Sequence, residues 1–235
     1  MDMDMKKKLN YYTYELDMVF LNILSLVIFG GVWALVVLVS GGSYLWEAEN
    51  VGLLFIFMVL WLMFHEVLHG IGFGLFSEVD KKNIVFGMQL EKGVFYCMCK
   101  QKISKKVILT SLLFPFTFIG VVTLIWGMMI HSYYLVMLSI LNISGAVGDL
   151  VMTVYFLRAP NDIVYLDLDD STSFTVLSDK DLSKIKVRGI RLKESGIYKD
   201  SMVAKDRRRI IISKTSYIVL GILLLVAFVL IFLER

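Results

Sequence analysis

The chain has 235 residues, of which 57% are hydrophobic and 19% are charged, and its formal net charge is +3. Its mean hydropathy of +0.73 lies far outside the range of soluble globular proteins. The composition therefore excludes a soluble domain and predicts an integral membrane protein.

Apolar windows long enough to cross a bilayer, about 20 residues each, follow one another along the chain. They span residues 19–39, 51–76, 107–130, 134–157 and 216–233. The fold class that they predict is an all-α polytopic membrane protein with about five transmembrane helices and small cytoplasmic β-hairpin elements. The predicted organisation is a membrane core of four helices over residues 1–157, a cytoplasmic hairpin and basic linker over 158–215, and a C-terminal helix over 216–235.

The basic residues predict the orientation of these helices. The N-terminal segment, the loop 77–106 and the segment 158–215 together hold 23 of the 24 Lys and Arg residues. Because short loops rich in Lys and Arg stay on the cytoplasmic side, the N-terminus is predicted to lie inside, in a multi-pass protein of the cell membrane. The cluster Lys205–Arg209 is expected to anchor the last helix and to contact anionic lipid, and no nucleic-acid partner is expected.

The second predicted helix contains titratable groups in an apolar run, LWLMFHEVLHGIGF at residues 60–73. His65 and His69 are four residues apart, so a helix places both imidazoles on one face, where they can bind one metal ion. In an H-E-x-x-H pattern, Glu66 does not bind the metal and instead acts as the general base for a metal-bound water. The alternative is a buried His-Glu-His cluster that only hydrogen-bonds between helices.

The loop 77–106 contains two runs typical of a β-hairpin, NIVFGMQL and VFYCMC, separated by EKG. An edge strand at this position could hold an extended substrate by β-augmentation, or the hairpin could merely cap the helix bundle. Cys97 and Cys99 lie in the second run. A lone C-x-C lacks the second pair of a structural zinc site, so both are interpreted as ordinary strand residues.

A zinc site needs a third protein ligand, and the fourth predicted helix supplies the carboxylate of Asp149. The topology places His131 at the outer end of the third helix, which excludes it. His65, His69 and Asp149 are all expected to lie roughly 10 to 17 Å inside the cytoplasmic surface, at 1.5 Å per residue. Asn142 and Gly148, on the same helix as Asp149, are expected to support the ligands or to serve helix packing.

The segment after the fourth helix begins with a second hairpin pattern, IVYLDLDDSTSFTVL at residues 163–177. The DDST sequence supplies its turn. The acidic residues of this stretch are interpreted as turn residues rather than as a calcium site, because the bidentate glutamate of a calcium loop is missing.

HEVLHGIGF, a later helix containing FPF, and NISGAVGD on a further helix together resemble the zincin peptidase family of bacterial membranes. They are more distantly similar to the site-2-type intramembrane metalloproteases. The resemblance implies His65 and His69 as zinc ligands, Glu66 as the catalytic base and Asp149 as the third ligand.

The expected function is a zinc-dependent, membrane-embedded peptidase that hydrolyses peptide bonds through a metal-activated water. Its partners would be a membrane-protein or peptide substrate and the lipid bilayer. The alternative is a non-catalytic membrane scaffold, regulator or immunity-type protein with a structural or vestigial metal site.

Overall fold

The computed structural model describes residues 9–44, 51–89, 94–167 and 173–199. In chain order, its elements are β1 (Asn10–Leu16), α1 (Met18–Val39), α2 (Val51–Gly74), a short 3-10 helix (Lys81–Asn83), β2 (Ile84–Gln89), β3 (Val94–Cys99), β4 (Ile103–Ser104), α3 (Lys105–Pro115), a π-helical segment (Phe116–Val122), α4 (Thr123–Met129), α5 (Tyr133–Gly145), α6 (Val147–Arg158), β5 (Val164–Leu166), β6 (Ser173–Ser178) and β7 (Ile190–Ile197).

Within the described residues, three helical stretches are long and apolar enough to cross a membrane: Met18–Val39, Gly52–Gly74 and Lys105–Met129. The last of these runs without a break through α3, the π-helical segment and α4. A fourth crossing exists if α5 and α6 form one span, and these two helices meet at a bend of 47°. The four stretches coincide with the first four predicted windows. The fifth, at 216–233, lies outside the described residues.

The prediction of an all-α fold is wrong, because the chain also forms substantial β-structure. A five-stranded sheet has the order β4-β5-β6-β1-β7, and β2 and β3 form a separate two-stranded sheet. All of the pairings are antiparallel. The physical reason is that no described strand is longer than eight residues, so the strands add little to a hydropathy profile dominated by the long apolar helices.

Both predicted hairpin patterns form antiparallel strand pairs. In the first pair Phe86 of β2 lies opposite Cys97 of β3, and in the second Tyr165 of β5 lies opposite Val176 of β6. Their turns, at 90–93 and 168–172, lie outside the part of the chain that the structure describes. β1, from the predicted membrane core, pairs with β6 and β7, from the predicted hairpin and linker segment.

The five-stranded sheet packs on the helix ends through an aromatic core. The ring of Tyr14 in β1 lies 4.7 Å from that of Tyr155 in α6 and 5.4 Å from that of Phe174 in β6, measured between centroids. Val107 and Ile108 of α3 belong to the same buried cluster. This core fixes the ends of α3 and α6 against the sheet.

Both sheets lie at the same end of the helix bundle. β1 leads into α1, the hairpin β2–β3 follows α2, β4 leads into α3, and β5 follows α6. This is the end that the distribution of basic residues predicts to be cytoplasmic. Asp17 connects α1 to the five-stranded sheet at this end. Its carboxylate accepts a hydrogen bond from the Phe20 N–H at the start of α1 and forms an ion pair with Arg191 of β7.

Candidate metal centre

Two histidines and an aspartate bring three side-chain atoms together near the sheet end of the bundle. The Nε2 atoms of His65 and His69, one helical turn apart on α2, lie 3.1 Å from each other. Asp149 Oδ2, in the first turn of α6, lies 3.1 Å from the first of these nitrogens and 3.5 Å from the second. The three residues singled out by spacing and depth are thus in direct contact.

The bend between α5 and α6 places Asp149 at a helix start. The α5 helix ends at Gly145, and α6 begins at Val147 after the turn of 47°. The unpaired N–H groups of a first helical turn stabilise a carboxylate electrostatically. A straight helix over 133–158 would lack this arrangement at Asp149.

The other ring nitrogen of each histidine has an acceptor as its partner. His65 Nδ1 lies 2.8 Å from Asn142 Oδ1, and His69 Nδ1 lies 2.9 Å from the backbone oxygen of Ser111. A carbonyl oxygen can only accept, so each Nδ1 carries a proton and donates it. In the neutral ring, Nε2 then carries a lone pair, which is the form that binds a metal ion.

The donor set fits a divalent metal ion such as zinc. The two Nε2 atoms and the carboxylate oxygen lie 3.1 to 3.5 Å from one another. These electron-rich atoms repel one another unless a cation or an additional proton lies between them. Tetrahedral Zn²⁺ with bonds of 2.0–2.1 Å holds neighbouring ligands about 3.3–3.4 Å apart. The separations bracket that value, and the nitrogen and oxygen donors are of the type that zinc accepts.

Glu66 lies beside the cluster. Its carboxylate oxygen and the ring nitrogens of His65 and His69 lie within 4.8 Å of one another, and the carboxylate also interacts with the backbone amide of Cys97. Either Glu66 or Asp149 could complete a three-ligand set. Asp149 is in direct contact with both histidines.

The cluster opens into a cavity of about 350 Å³. Its walls include His65, Glu66, His69 and Asp149, the β3 residues Phe95–Met98, the apolar side chains of Phe73, Ile108 and Met152, and Tyr165, Asp167 and Phe174 from the sheet side. The cavity therefore lies between the long apolar helices and the two sheets. A cation held by the cluster would face this space.

Other predicted residues have varied surroundings. Gly148 lines the cavity, and a Cβ placed there would meet no atom within 4 Å, so close packing does not require this glycine. His131 follows α4 at the end of the bundle opposite the sheets, away from the cluster. Cys97 lines the cavity, and Cys99 is buried in the core.

Sequence reasoning missed Ser111 and Gly72. A Cβ at Gly72 would lie 2.7 Å from the Cα of Ser111, so this glycine permits the close approach of α2 and α3. That approach brings the Ser111 carbonyl to His69. A signal was present, because Pro115 lies four residues after Ser111 and removes the usual helical donor to its carbonyl.

A family model described as "Putative zincin peptidase" matches residues 55–164 of the chain, slightly less than half of its length. The match covers His65, Glu66, His69 and Asp149, and it confirms the family resemblance found in the sequence. No curated protein and no solved structure matches the chain.

Proposed function

We propose that the protein is a zinc-dependent peptidase embedded in the membrane. The observation that carries this proposal is the convergence of His65 Nε2, His69 Nε2 and Asp149 Oδ2, with Glu66 beside them, on one cavity. The name of the matching family points to the same chemistry.

Each residue of the cluster has a role in this proposal. His65, His69 and Asp149 would hold the metal ion through the three atoms that converge. When bound, zinc supplies Lewis-acid polarisation of the substrate carbonyl and lowers the pKa of water. Glu66 acts as the general base: its carboxylate takes a proton from the attacking water and delivers that proton to the leaving amine nitrogen.

The cavity favours a catalytic site over a structural one. Structural zinc sites are closed by four protein ligands, whereas catalytic sites keep a position open to water and substrate. Here all three converging residues line a cavity of about 350 Å³. This supports the peptidase over the alternative of a non-catalytic scaffold, regulator or immunity-type protein.

The substrate backbone would lie along β3. Side chains of a strand alternate between its two faces, yet four consecutive β3 residues, Phe95–Met98, line the cavity, so an edge of the strand faces it. Within the described sheets, β3 pairs with β2 alone. An extended peptide could therefore add to β3 by β-augmentation, close to Glu66.

The long apolar helices support a location of this site in a membrane. At least three stretches are long and apolar enough to span it, and we propose a multi-pass protein of the cell membrane with both sheets on the cytoplasmic side. Arg188, whose guanidinium lies 5.3 Å from the ring centroid of Phe20 in α1, and the exposed Arg191 stand where anionic headgroups would lie.

The test is Glu66→Gln beside the wild type and Glu78→Gln, a control in the loop after α2. Purified proteins would be assayed with quenched fluorescent peptides of mixed sequence, and their zinc content would be measured by elemental analysis. We expect Glu66→Gln to keep zinc and to lose at least about 100-fold in cleavage, as general-base removal predicts. Undiminished cleavage by Glu66→Gln, or zinc-free wild type that cleaves equally well, would overturn the proposal.

A further inference from the structure

The third membrane span contains a proline followed by an irregular turn, directly beside the histidines. Pro115 has helical backbone angles, and residues Phe116–Val122 form a π-helical segment after it. Proline has no N–H, so the carbonyl four residues earlier, that of Ser111, lacks its normal helical donor. π-Helical turns are frequent at functional sites because they redirect backbone groups.

The Ser111 carbonyl, which has no helical donor at Pro115, accepts a hydrogen bond from His69. His69 Nδ1 donates to the Ser111 oxygen at 2.9 Å, and the Ser111 hydroxyl donates to the His69 backbone oxygen at 3.0 Å. A residue with an N–H at position 115 would supply a competing helical donor to the same Ser111 oxygen. Proline removes that competition.

The same segment also reaches His65, through Asn142. The carbonyl oxygen of Pro115 accepts a hydrogen bond from Asn142 Nδ2 at 3.3 Å, and Asn142 Oδ1 accepts from His65 Nδ1 at 2.8 Å. The first bond fixes which end of the Asn142 amide faces His65. A Cβ at Gly120 would lie 3.0 Å from Ile143 Cγ1 and 3.3 Å from Asn142 Nδ2, so this glycine makes room for both Ile143 and the Asn142 amide.

We infer that the segment from Pro115 to Gly120 is a positioning element that fixes the ring orientation and tautomer of both histidines through Ser111 and Asn142. The assignment of the histidines as metal ligands rests on the proposed function, but their hydrogen bonds do not. Partners of this kind hold a ligating imidazole in the form that presents Nε2 to the metal, and their loss costs about 10- to 100-fold in metal affinity.

The experiment uses ¹⁵N-histidine labelling of the full chain, which has three histidines. His131→Ala removes the third signal and simplifies the assignment. We expect wild type to show a hydrogen-bonded Nδ1 proton on both His65 and His69, with or without zinc. Their absence from the wild type would overturn the inference without any further variant.

Pro115→Ala tests the hydrogen bond from His69 Nδ1 to the Ser111 oxygen. Its control is Pro160→Ala, at a position outside the helices. We expect the Nδ1 proton of His69 to shift toward the position of a weaker hydrogen bond. Zinc affinity, measured by competition with a chelator, should fall about 10- to 100-fold. An unchanged His69 signal in a folded Pro115→Ala protein would overturn the inference that Pro115 positions His69 through Ser111.

Gly120→Ala tests the hydrogen bond from His65 Nδ1 to Asn142 and leaves the proline in place. The control is Gly31→Ala in α1, where a Cβ would meet nothing within 4 Å. We expect the Nδ1 signal of His65 to shift in Gly120→Ala only, and an unshifted signal would count against the inference. A wild type that binds no zinc would instead refute the proposed metal site, while the Nδ1 signals would still report on the positioning.

Discussion

The Nε2 atoms of His65 and His69 lie 3.1 Å apart, and both also face Asp149 Oδ2. Their Nδ1 atoms donate to the side chain of Asn142 and the backbone of Ser111. No proton is then left on either Nε2 of the neutral rings, so three electron-rich atoms share one small space. A metal ion removes this repulsion.

The first prediction concerns metal content. The wild type should carry about one zinc per chain, and His65→Ala, His69→Ala and Asp149→Ala should each lose it, because three ligands are the minimum set of a catalytic zinc site. His131→Ala, whose histidine lies at the opposite end of the bundle, is the matched control and should keep its zinc. Elemental analysis after purification without chelators is the measurement. Zinc retained by Asp149→Ala would instead point to Glu66 as the third ligand.

Asn142 should matter for zinc affinity although it is not a ligand. Asn142→Ala leaves the buried Nδ1–H of His65 without its acceptor at 2.8 Å, and we expect zinc affinity to fall by about 10- to 100-fold. Ser144→Ala is the control, because Ser144 is buried on the same helix and its hydroxyl donates to the Leu141 carbonyl. Chelator competition on both proteins measures the difference. Equal affinities would show that Asn142 serves packing alone.

The cluster was predictable from the sequence because it depends on local spacing and on the position of each residue along its apolar helix. The spacing of His65 and His69 is fixed by helical geometry, and Asp149 is a carboxylate at a matching depth in an apolar helix. Ser111 contributes a backbone oxygen, which any residue carries, so its identity reveals nothing. Only the proline four residues later indicates that this carbonyl is available to another donor.

The sheet was less predictable because its pairing is long-range. NYYTYEL has the aromatic composition of a strand, but Thr13 of β1 pairs with Thr175 of β6 on one side and with Glu194 of β7 on the other. These partners lie more than 150 residues away in the sequence, and no local pattern specifies them. The two hairpins were predictable because their strands are adjacent in the chain and are separated by turn residues.

Cys99 should lower the stability of the folded protein as the pH rises above 9. Burial raises the pKa of the Cys99 thiol from 9.0 to about 11, so the folded state binds this proton more tightly than the unfolded state does. The stabilisation is complete below pH 9 and is lost as the pH rises toward 11, by at most about 1.4 kcal/mol per pH unit. Thermal unfolding of wild type and Cys99→Ala at pH 8 and pH 10.5 tests this. The unfolding temperature of the variant should fall less between the two values, and equal falls would contradict the prediction.

The last prediction concerns the edge of β3. The amide of Cys97 interacts with Glu66 at the cavity, and alternation along a strand directs the Phe95 amide to the same side, away from β2. Phe95→Pro removes that N–H and is tolerated at a strand edge, so the β2–β3 pairing should survive. Phe95→Ala is the matched control, since it truncates the side chain but keeps the amide.

If a substrate adds to β3, Phe95→Pro should lower kcat/KM about five-fold or more relative to Phe95→Ala, because one backbone hydrogen bond contributes about 1 kcal/mol. Zinc content should be the same in both proteins, which separates an effect on substrate from an effect on the metal site. The assay uses the quenched peptide that the wild type cleaves best. Equal kcat/KM for the proline and alanine variants would mean that the substrate backbone does not pair at Phe95, and the hairpin would then be interpreted as a cap on the helix bundle.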